Sequence, residues 1–307
     1  MIRPPAFVDC HGDSAERLTQ AMTDRVPGVE VIAGPADDPG ELIARMQGRR
    51  HVLAYMAYMS ADVLRACPDL RTIAYLSTGL ATHGDQEEAA RLGIRFEGVK
   101  GYGDRAVAEH AIALAFAGLR RLAQMDRRAR DGRWGLMRSE EFAGKTFGLI
   151  GLGGIGVETA RLAHALGARC IGWTRSGGTG DAPVEAMPAE RVLAEADILS
   201  LHLALTPETA GWLDADRIAA TKPGAILVNT ARGGLVDETA LLAALEAGQL
   251  SHAALDVVAT EPLPAGHPLA ARDDVTLTPH SAWLTTAATD RLLVAGFDLL
   301  ARHVADG

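Results

Sequence analysis

Three ionisable residues of different chemical types follow three separate strand-like segments in the second half of the chain: Arg232 in NTARGG, Glu261 in DVVATEP and His280 in TLTPHSA. Ligands of open α/β sheets bind at the carboxyl ends of the strands, which is where these residues would stand. Histidine suits proton transfer near neutral pH, and a neighbouring carboxylate orients its ring and favours its charged form. A guanidinium can hold a substrate carboxylate or polarise its carbonyl oxygen. The set therefore suits protonation of a carbonyl that receives a hydride, the alternative being a structural ion pair at the domain edge.

A glycine-rich turn supplies a candidate site for the hydride donor. An apolar strand-like run, Phe147 to Ile150, leads into the spacing Gly-x-Gly-x-x-Gly, and an amphipathic helix follows. The first glycine allows a tight turn, the second lets the backbone approach a pyrophosphate, and the third lets the helix pack on the strand. The amides at the helix start would face the anionic phosphates. We therefore assign the turn to dinucleotide binding: Gly151, Leu152, Gly153, Gly154, Ile155 and Gly156.

The end of the next strand, Arg169 to Trp173, bears on which dinucleotide is used. It leads into Thr174, Arg175 and Ser176, with no acid among them. In NAD sites an Asp or Glu about 20 residues beyond the glycines binds the ribose hydroxyls, and it would repel a 2′-phosphate. Arg175 offers that phosphate a permanently charged fork, and the two hydroxyls can donate hydrogen bonds. The sequence predicts a preference for NADP(H). Use of NAD(H) is the alternative, with Asp181 swinging back to serve as the ribose acid.

Composition excludes several other classes of function. The chain has 307 residues, 48% of them hydrophobic, and a formal net charge of -9 with a pI near 5.6. This charge argues against a nucleic-acid surface, which needs a concentrated basic face. Three isolated cysteines without metal-type spacing predict reduced core thiols and no metal site. Since neither a signal peptide nor about 18 consecutive apolar residues occur, we expect no membrane span and a cytoplasmic location.

The elements that would position these residues alternate between strands and helices. Such alternation predicts α/β domains with parallel sheets. We expect strands at 6–9, 29–33, 51–54, 71–76 and 94–97 in a first domain, with helices at 14–26, 39–48, 60–67 and 84–93. A helix over 107–130, continuous or as two in line, would leave that domain. The second would be a six-stranded doubly wound sheet with strands at 147–150, 169–173, 197–203, 225–230, 252–257 and 275–278 and helices at 214–220 and 237–247. A last helix over 285–304 could return to the first domain.

Several motifs in this order resemble the D-isomer-specific 2-hydroxyacid dehydrogenases over most of the chain. They are VAEHAIAL at 107–114, GLGGIG at 151–156, LHLALTPET at 201–209, VNTARGGLVDE at 228–238, ALDVVATEPL at 254–263 and TPHSA at 278–282. The resemblance implies two doubly wound parallel-sheet domains, a Rossmann dinucleotide-binding domain (residues 105–284) being inserted in a smaller flavodoxin-like substrate domain (residues 1–104 and 285–307). It also implies a homodimer formed largely through the dinucleotide-binding domain and its long helix.

The same resemblance implies individual roles. Arg232 would bind the carboxylate and carbonyl of the substrate, Glu261 would steady His280, and His280 would exchange the proton next to the cofactor. Backbone amides of Ser77, Thr78 and Gly79 would hold the substrate carboxylate. Further residues would line the cofactor: His202, Pro207, Thr209, Thr230, Ala231 and Asp256, the last as acceptor for the carboxamide. Two departures from the family pattern bear on the substrate: LATHGD after Gly79, and Trp283, which we assign to the substrate site.

These features lead to one main hypothesis and two alternatives. The main one is reduction of a small 2-keto acid, with glyoxylate and hydroxypyruvate as candidates. A second enzymatic hypothesis is oxidation of an inorganic or one-carbon acid such as phosphite or formate. The third is a cofactor-sensing, non-catalytic co-regulator on the same fold. The presence of Arg232, Glu261 and His280 argues against the need for this hypothesis. A histidine on the long helix, His110, is expected to be a buried, hydrogen-bonded residue rather than a catalytic one.

Overall fold

The computed structural model describes residues 2–175 and 177–307, so the predicted cofactor residue Ser176 lies outside the described part of the chain. The chain divides into two compact units. Unit 1 comprises Met1–Gly103 and Leu284–Gly307, and unit 2 comprises Asp104–Trp283. From the sequence we predicted these two domain boundaries after residues 104 and 284. Among the described helices, none has the length and apolar character needed to cross a membrane.

Unit 1 is built on a five-stranded parallel sheet in the order β2-β1-β3-β4-β5, as in flavodoxin-like folds. The strands are β1 (Ala6–Cys10), β2 (Glu30–Ala33), β3 (His51–Ala54), β4 (Thr72–Tyr75) and β5 (Arg95–Gly98). The helices are α1 (Gly12–Arg17), α2 (Gln20–Thr23), α3 (Pro39–Met46), α4 (Ala61–Arg65), α5 (Gln86–Arg91) and α12 (Thr286–Ala305). Each of the three central strands, β1, β3 and β4, is wholly buried, as expected when helices cover both faces of a parallel sheet.

The C-terminal helix α12 belongs to unit 1. Phe297 packs edge-on against Phe7 of β1, with ring centroids 6.2 Å apart. A Cβ on Gly296 would collide with Leu76, so this glycine lets the helix approach the sheet closely. Arg17 of α1 donates two hydrogen bonds to Asp290 at 2.8 and 2.6 Å. The first and last segments of the chain therefore share one hydrophobic core.

Unit 2 contains a seven-stranded parallel sheet in the order β12-β11-β10-β9-β6-β7-β8, where six strands were predicted. The strands are β6 (Thr146–Ile150), β7 (Arg169–Trp173), β8 (Glu185–Ala186), β9 (Ile198–Leu201), β10 (Ala225–Asn229), β11 (Leu250–Leu255) and β12 (Val275–Leu277). The additional strand is β8, which has two residues and is too short to show alternation in the sequence. Strand order reverses between β6 and β9, as in the Rossmann fold.

Helices cover both faces of this sheet. They are α6 (Asp104–Leu119), α7 (Leu122–Arg130), α8 (Gly154–Ala165), α9 (Ala189–Glu195), α10 (Ala215–Ala219) and α11 (Glu238–Glu246). Leu114 of α6 and Ala160 of α8 share a buried cluster with Phe147, whereas Leu193 of α9 shares the other cluster with Leu227. The sheet is therefore buried on both sides, and its edge is where ligands can reach it.

Two predicted helical segments are interrupted: 14–26, which was predicted as one helix, and 107–130, which was predicted as one helix or two in line. The segment 107–130 forms α6 and α7, because Arg121 takes the left-handed conformation with φ of 50°. The segment 14–26 forms α1 and α2, separated at Leu18, whose ψ of 131° is extended. Neither break coincides with a glycine or a proline, which are the residues that signal such breaks in a sequence.

Candidate active site

The predicted dinucleotide turn lies where the strand order of unit 2 reverses. Gly151 ends β6 with φ of 102°, and a Cβ at that position would lie 2.7 Å from the carbonyl oxygen of His202, which follows β9. A Cβ on Gly156 would collide with the carbonyl oxygen of Gly151. The first and third glycines are therefore required by close backbone packing, one at the turn and one between helix and strand.

The second glycine borders open space instead. A Cβ on Gly153 would meet no atom within 4 Å, and Gly153 is the N-cap of α8 without a side-chain cap. The first amides of α8 are thus available to an anion. Leu152 packs beside the strand β7, where its Cδ1 would lie 3.4 Å from a Cβ on Gly172. These features fit the diphosphate of a dinucleotide, which the backbone amides and the helix dipole would hold.

The end of β7 carries the residues predicted to choose between cofactors. Arg175 is exposed, and among the described residues it has no ion-pair or hydrogen-bond partner. The acid proposed as the alternative, Asp181, is paired with Arg161 of α8 at 2.9 and 3.0 Å. Glu208 lies near enough to Arg175 for that guanidinium to contribute to lowering the pKa of Glu208, behind larger effects of hydrogen bonds from Thr206 and its own backbone. A guanidinium without a fixed partner thus stands where a 2′-phosphate is expected.

Two residues of the segment after β9 have their side chains engaged within the protein. His202 Nε2 lies 2.9 Å from Ser200 Oγ, and burial lowers the pKa of His202 to about 4. Its imidazole is therefore neutral at pH 7. Thr209 Oγ1 accepts from Thr206 N at 2.8 Å and donates to Ala204 O at 2.6 Å, so it closes the turn that contains the exposed Pro207.

The predicted histidine and glutamate are in direct contact. His280 follows β12, Glu261 follows β11, and His280 Nδ1 lies 2.6 Å from Glu261 Oε2. The other carboxylate oxygen, Oε1, accepts from Val258 N at 3.2 Å, which fixes the glutamate to its own loop. The side chains are 40% and 36% exposed. Within residues 2–175 and 177–307, Nε2 of this imidazole has no hydrogen-bond partner, so it is available to a ligand.

The backbone around His280 is held by Asp256, at the end of β11. His280 has φ of 51°, the left-handed region that non-glycine residues adopt rarely, and its amide donates to Asp256 O at 2.8 Å. The Asp256 carboxylate, only 2% exposed, accepts from Thr278 Oγ1 at 2.5 Å and from the amides of Ser281 and Ala282 at 3.0 Å each. Asp256 therefore holds the TPHSA loop in place, a role distinct from its predicted one as acceptor for the cofactor's carboxamide.

His110 of α6 joins the same network, since its Nε2 lies 3.0 Å from Thr278 Oγ1 and 3.5 Å from Asp256 Oδ1. Its side chain is 26% exposed. It is hydrogen-bonded, as the sequence predicted, but it is only partly buried.

Arg232 lies in the loop after β10, which touches the loop carrying the glutamate. Asn229, 1% exposed, donates from Nδ2 to Arg232 O at 2.9 Å and accepts from Ala231 N at 3.0 Å. A Cβ on Gly233 would collide with the backbone of Val258. Because β10, β11 and β12 are neighbours, the loops of all three predicted catalytic residues adjoin one another at the carboxyl edge of the sheet.

Thr230 lies directly before this loop. It is 7% exposed, and its Oγ1 is buried without a hydrogen-bond partner in the described part of the protein. Such an orphaned hydroxyl at the carboxyl edge of the sheet is consistent with a ligand partner.

In unit 1, the predicted carboxylate-binding loop follows β4. The amide of Ser77 donates to Tyr75 O at 2.8 Å, and the amide of Gly79 donates to Ser77 Oγ at 3.3 Å. His83 belongs to the LATHGD segment, which differs from the family pattern. Its ring stacks on Tyr75 with centroids 4.7 Å apart, and its Nε2 lies 3.1 Å from Ser77 Oγ. Of the three loop amides, that of Thr78 has no acceptor among the described residues, while its hydroxyl donates to Val99 O at 2.9 Å.

A cavity of about 710 Å³ opens at the opposite, amino-terminal edge of the unit 2 sheet. Paired acids and bases line it, among them Lys222 with Asp197 and Arg272 with Asp274. None of the predicted site residues contributes to it. Trp283, assigned to the substrate, is partly exposed at the end of unit 2. In residues 2–175 and 177–307, no group of three or more side chains is arranged to hold a metal ion.

Three residues shape the site in ways that the sequence did not predict. Two of them were not among the predicted site residues, and the third, Asp256, was predicted only to bind the cofactor. Asn229 fixes the Arg232 loop, Asp256 fixes the His280 loop, and Asp104 of α6 lies against Gly154 in the dinucleotide turn. Asn229 ends the apolar run Ala225–Val228, and Asp256 follows the apolar run Ala253–Leu255. A polar residue at the end of such a run is a usable signal. The contact of Asp104 joins residues 50 positions apart along the chain and leaves no local pattern.

Comparison with known proteins identifies relatives over most of the chain. The family described as "D-isomer specific 2-hydroxyacid dehydrogenase, NAD binding domain" matches residues 112–282. The chain is 36% identical over 262 residues to a glycerate dehydrogenase of Methylorubrum extorquens, covering 81% of each protein. It is 38% identical over 256 residues to a glyoxylate reductase of Aeropyrum pernix, covering 79% of the chain and 76% of that enzyme.

Another relative is longer. The chain is 37% identical to a D-3-phosphoglycerate dehydrogenase of Mycobacterium leprae over 93% of its own length, but it spans 54% of that protein. Among solved structures, the acyclic imino acid reductase Bsp5, described in complex with NADPH and D-Arg, superposes with a TM-score of 0.87 at 25% identity, covering 98% of this chain and 97% of that one.

The family model covers more than half of the 307 residues, and relatives above 30% identity cover more than two thirds of them. The two parallel-sheet units, with their flavodoxin-like and Rossmann strand orders, agree with this match. The chain belongs to the D-isomer specific 2-hydroxyacid dehydrogenase family.

Proposed function

We propose that this dehydrogenase reduces a small 2-keto acid with NADPH, and that Arg232, Glu261 and His280 carry the chemistry. The observation that supports this most directly is the 2.6 Å contact between His280 Nδ1 and Glu261 Oε2, next to the loop of Arg232 at the ligand-binding edge of the sheet. The loop of Arg232 adjoins the loop that carries Glu261. The guanidinium itself donates from Nη1 to Ala231 O at 2.7 Å, so we propose that it turns to the substrate when the substrate binds.

The chain's own groups divide the work as follows. The bound nicotinamide supplies the hydride. Arg232 binds the substrate carboxylate and polarises the carbonyl oxygen with its planar fork. Glu261 holds Nδ1 of His280, which directs Nε2 at that oxygen, and the imidazolium gives its proton to the alkoxide as it forms. The loop of Ser77, Thr78 and Gly79 holds the substrate carboxylate through the Thr78 amide, because the other two amides donate to Tyr75 O and Ser77 Oγ. Trp283 borders the substrate.

Glyoxylate and hydroxypyruvate are the proposed substrates. Relatives named glycerate dehydrogenase and glyoxylate reductase support an acid of this size, because hydroxypyruvate is the keto acid that corresponds to glycerate. A spectrophotometric panel of 2-keto acids of two to six carbons, with each reduced dinucleotide, tests the proposal. We expect the highest kcat/KM with two- and three-carbon acids. Turnover of larger keto acids only, or of phosphite or formate instead, would contradict it.

The preference for NADPH rests on Arg175, whose guanidinium is exposed and has no partner among residues 2–175 and 177–307. A charge-assisted hydrogen bond of roughly 1.5–3 kcal/mol corresponds to about 10- to 150-fold in affinity. Arg175→Ala should therefore weaken NADPH by that factor and leave NADH nearly unchanged. Arg191→Ala is the matched control, because Arg191 is an exposed arginine paired with Glu195 on α9. Wild-type protein that uses NADH at least as efficiently as NADPH would refute the preference.

We also propose that the protein forms a homodimer through unit 2. Large apolar side chains are exposed on α7 and just beyond it: Leu122 at 49%, Trp134 at 92% and Leu136 fully. Exposed apolar side chains grouped along one segment are typical of a surface that another chain covers. Sedimentation velocity should show a dimer that the double variant Trp134→Ser, Leu136→Ser converts to monomer. A wild-type monomer at micromolar concentration would contradict this.

A further inference from the structure

A carboxylate lies against the turn that is shaped for the diphosphate. Asp104 is the first residue of α6, and Gly154 is the first residue of α8. A Cβ on Gly154 would collide with Oδ2 of Asp104, so the carboxylate is in contact with the glycine. Within the described part of the chain, this carboxylate accepts no hydrogen bond. It is therefore a carboxylate without a hydrogen-bond donor from the described residues, and it lies where the first amides of α8 would receive a second, larger anion.

The charged groups around Asp104 do not neutralise it. Arg105, the adjacent cation, donates to Glu158 of α8 at 2.7 Å and to Glu109 of α6 at 2.6 Å. Arg161 also faces Glu158, at 3.4 Å. The nearby cations are thus occupied by other carboxylates, and Glu158 adds a further negative charge. Burial, and secondly the charge of Glu158, raise the pKa of Asp104.

We propose that Asp104 sets the affinity of this enzyme for its dinucleotide in a proton-dependent way: the ionised carboxylate repels the diphosphate, and the protonated one donates a hydrogen bond to it. The inference concerns cofactor binding at the glycine turn and does not depend on which keto acid is reduced. Like charges a few ångströms apart at a protein surface change an equilibrium constant by about tenfold or more. The bound state therefore favours the protonated form of Asp104.

The direction of the pH effect follows from this preference. Binding an anion beside a carboxyl raises the pKa of that carboxyl further, so the complex takes up a fraction of a proton. Affinity should be highest at acidic pH and should fall as the pH rises through the range in which Asp104 ionises. If the residue at this position were neutral, the affinity for the dinucleotide would not change with pH in this range.

The test measures binding of NADPH and NADH by nucleotide fluorescence, from pH 8 down to the lowest pH at which the protein stays folded. We expect Asp104→Asn to bind about tenfold more tightly than wild type at pH 8 and to converge with wild type at the acidic end. Calorimetry in two buffers of different ionisation enthalpy should show proton uptake by wild type and less by D104N. Glu109→Gln is the control, because Glu109 lies one turn further along α6, is paired with Arg105, and is 56% exposed.

Two results would overturn the proposal. One is equal or weaker binding by D104N at pH 8, and the other is the same proton uptake in D104N and wild type. Asp104→Ser provides a second neutral side chain if D104N fails to fold, and it should bind as D104N does. Failure of the keto-acid panel would leave these binding measurements unaffected, since they involve no turnover.

Discussion

Replacing Asp256 by Asn tests whether this residue holds the catalytic histidine loop. The carboxylate receives three donors, Thr278 Oγ1 on Oδ1 at 2.5 Å, the Ser281 amide on Oδ1 at 3.0 Å and the Ala282 amide on Oδ2 at 3.0 Å. An asparagine presents one oxygen and one NH₂. In either orientation, one of the two backbone amides would face another donor, so at least one hydrogen bond to a charged acceptor is lost.

The magnitude follows from that count. One hydrogen bond to a charged group contributes about 1.5–3 kcal/mol. For a unit of this size, each kcal/mol lowers Tm by about 2–4 °C, so Asp256→Asn should unfold roughly 3–12 °C earlier. His280 is in the left-handed conformation within the same loop. A displacement of about 1 Å at such a group lowers turnover by around 10²-fold, and we expect a loss of that order in kcat/KM.

The assay pairs thermal unfolding of the cofactor-free protein with steady-state kinetics. Asp273→Asn is the control, because Asp273 is 57% exposed and pairs with Arg127 at 3.2 Å, so its loss should change stability by less than about 0.5 kcal/mol. An unaltered Tm together with an unaltered kcat/KM in Asp256→Asn would refute this role, because the loop would then hold its shape without the carboxylate.

Three further outcomes are expected. His280→Asn should lower kcat by roughly 10²- to 10⁴-fold while dinucleotide binding is retained, and an unchanged kcat would remove the histidine from the chemistry. Arg232→Lys should lower kcat/KM for 2-keto acids by about 10- to 150-fold, because a point charge does not replace a planar fork; near-normal kinetics would exclude this contact. Burial lowers the pKa of His252 from 6.5 to about 4. The unfolded chain takes up that proton below pH 6.5 and the folded one does not, so the free energy of unfolding should fall by about 3 kcal/mol between pH 6.5 and 4. His252→Gln should lose this part of the acid sensitivity, and parallel curves of Tm against pH would contradict the assignment.

The sequence was sufficient to predict that Arg232, Glu261 and His280 follow the ends of separate strands in one parallel sheet. Apolar runs of four to six residues separated by helical segments indicate such a sheet, and its carboxyl edge is where ligands bind. The glycine spacing was informative because Gly151 and Gly156 each meet a backbone carbonyl that excludes any side chain. These features depend on local pattern or on rules of topology, both of which a single sequence carries.

Other features depend on contacts between distant segments. The break at Arg121 does not fall on a glycine or a proline, since the nearest glycine, Gly118, is still within α6. The two residues of β8 are too few for a periodic signal. The family resemblance assigned Asp256 to the cofactor. Its hold on the TPHSA loop left no signal in the sequence, because its partners lie 22 to 26 residues further along. The meeting of Asp104 with Gly154 likewise requires that α6 and α8 pack side by side.

The placement of α12 in unit 1 has a consequence for the order of folding. Arg17 pairs with Asp290, Arg25 with Asp298, and Thr289 with Asp13, so the contacts that complete unit 1 join residues more than 270 positions apart. Contacts of such long separation close slowly, and domains fold as their last segment becomes available during synthesis. Unit 2 has all its residues before unit 1 does. We expect a chain truncated after residue 283 to resist protease in unit 2 and to be cleaved in unit 1, whereas the full chain resists in both units; protection of unit 1 without α12 would contradict this order.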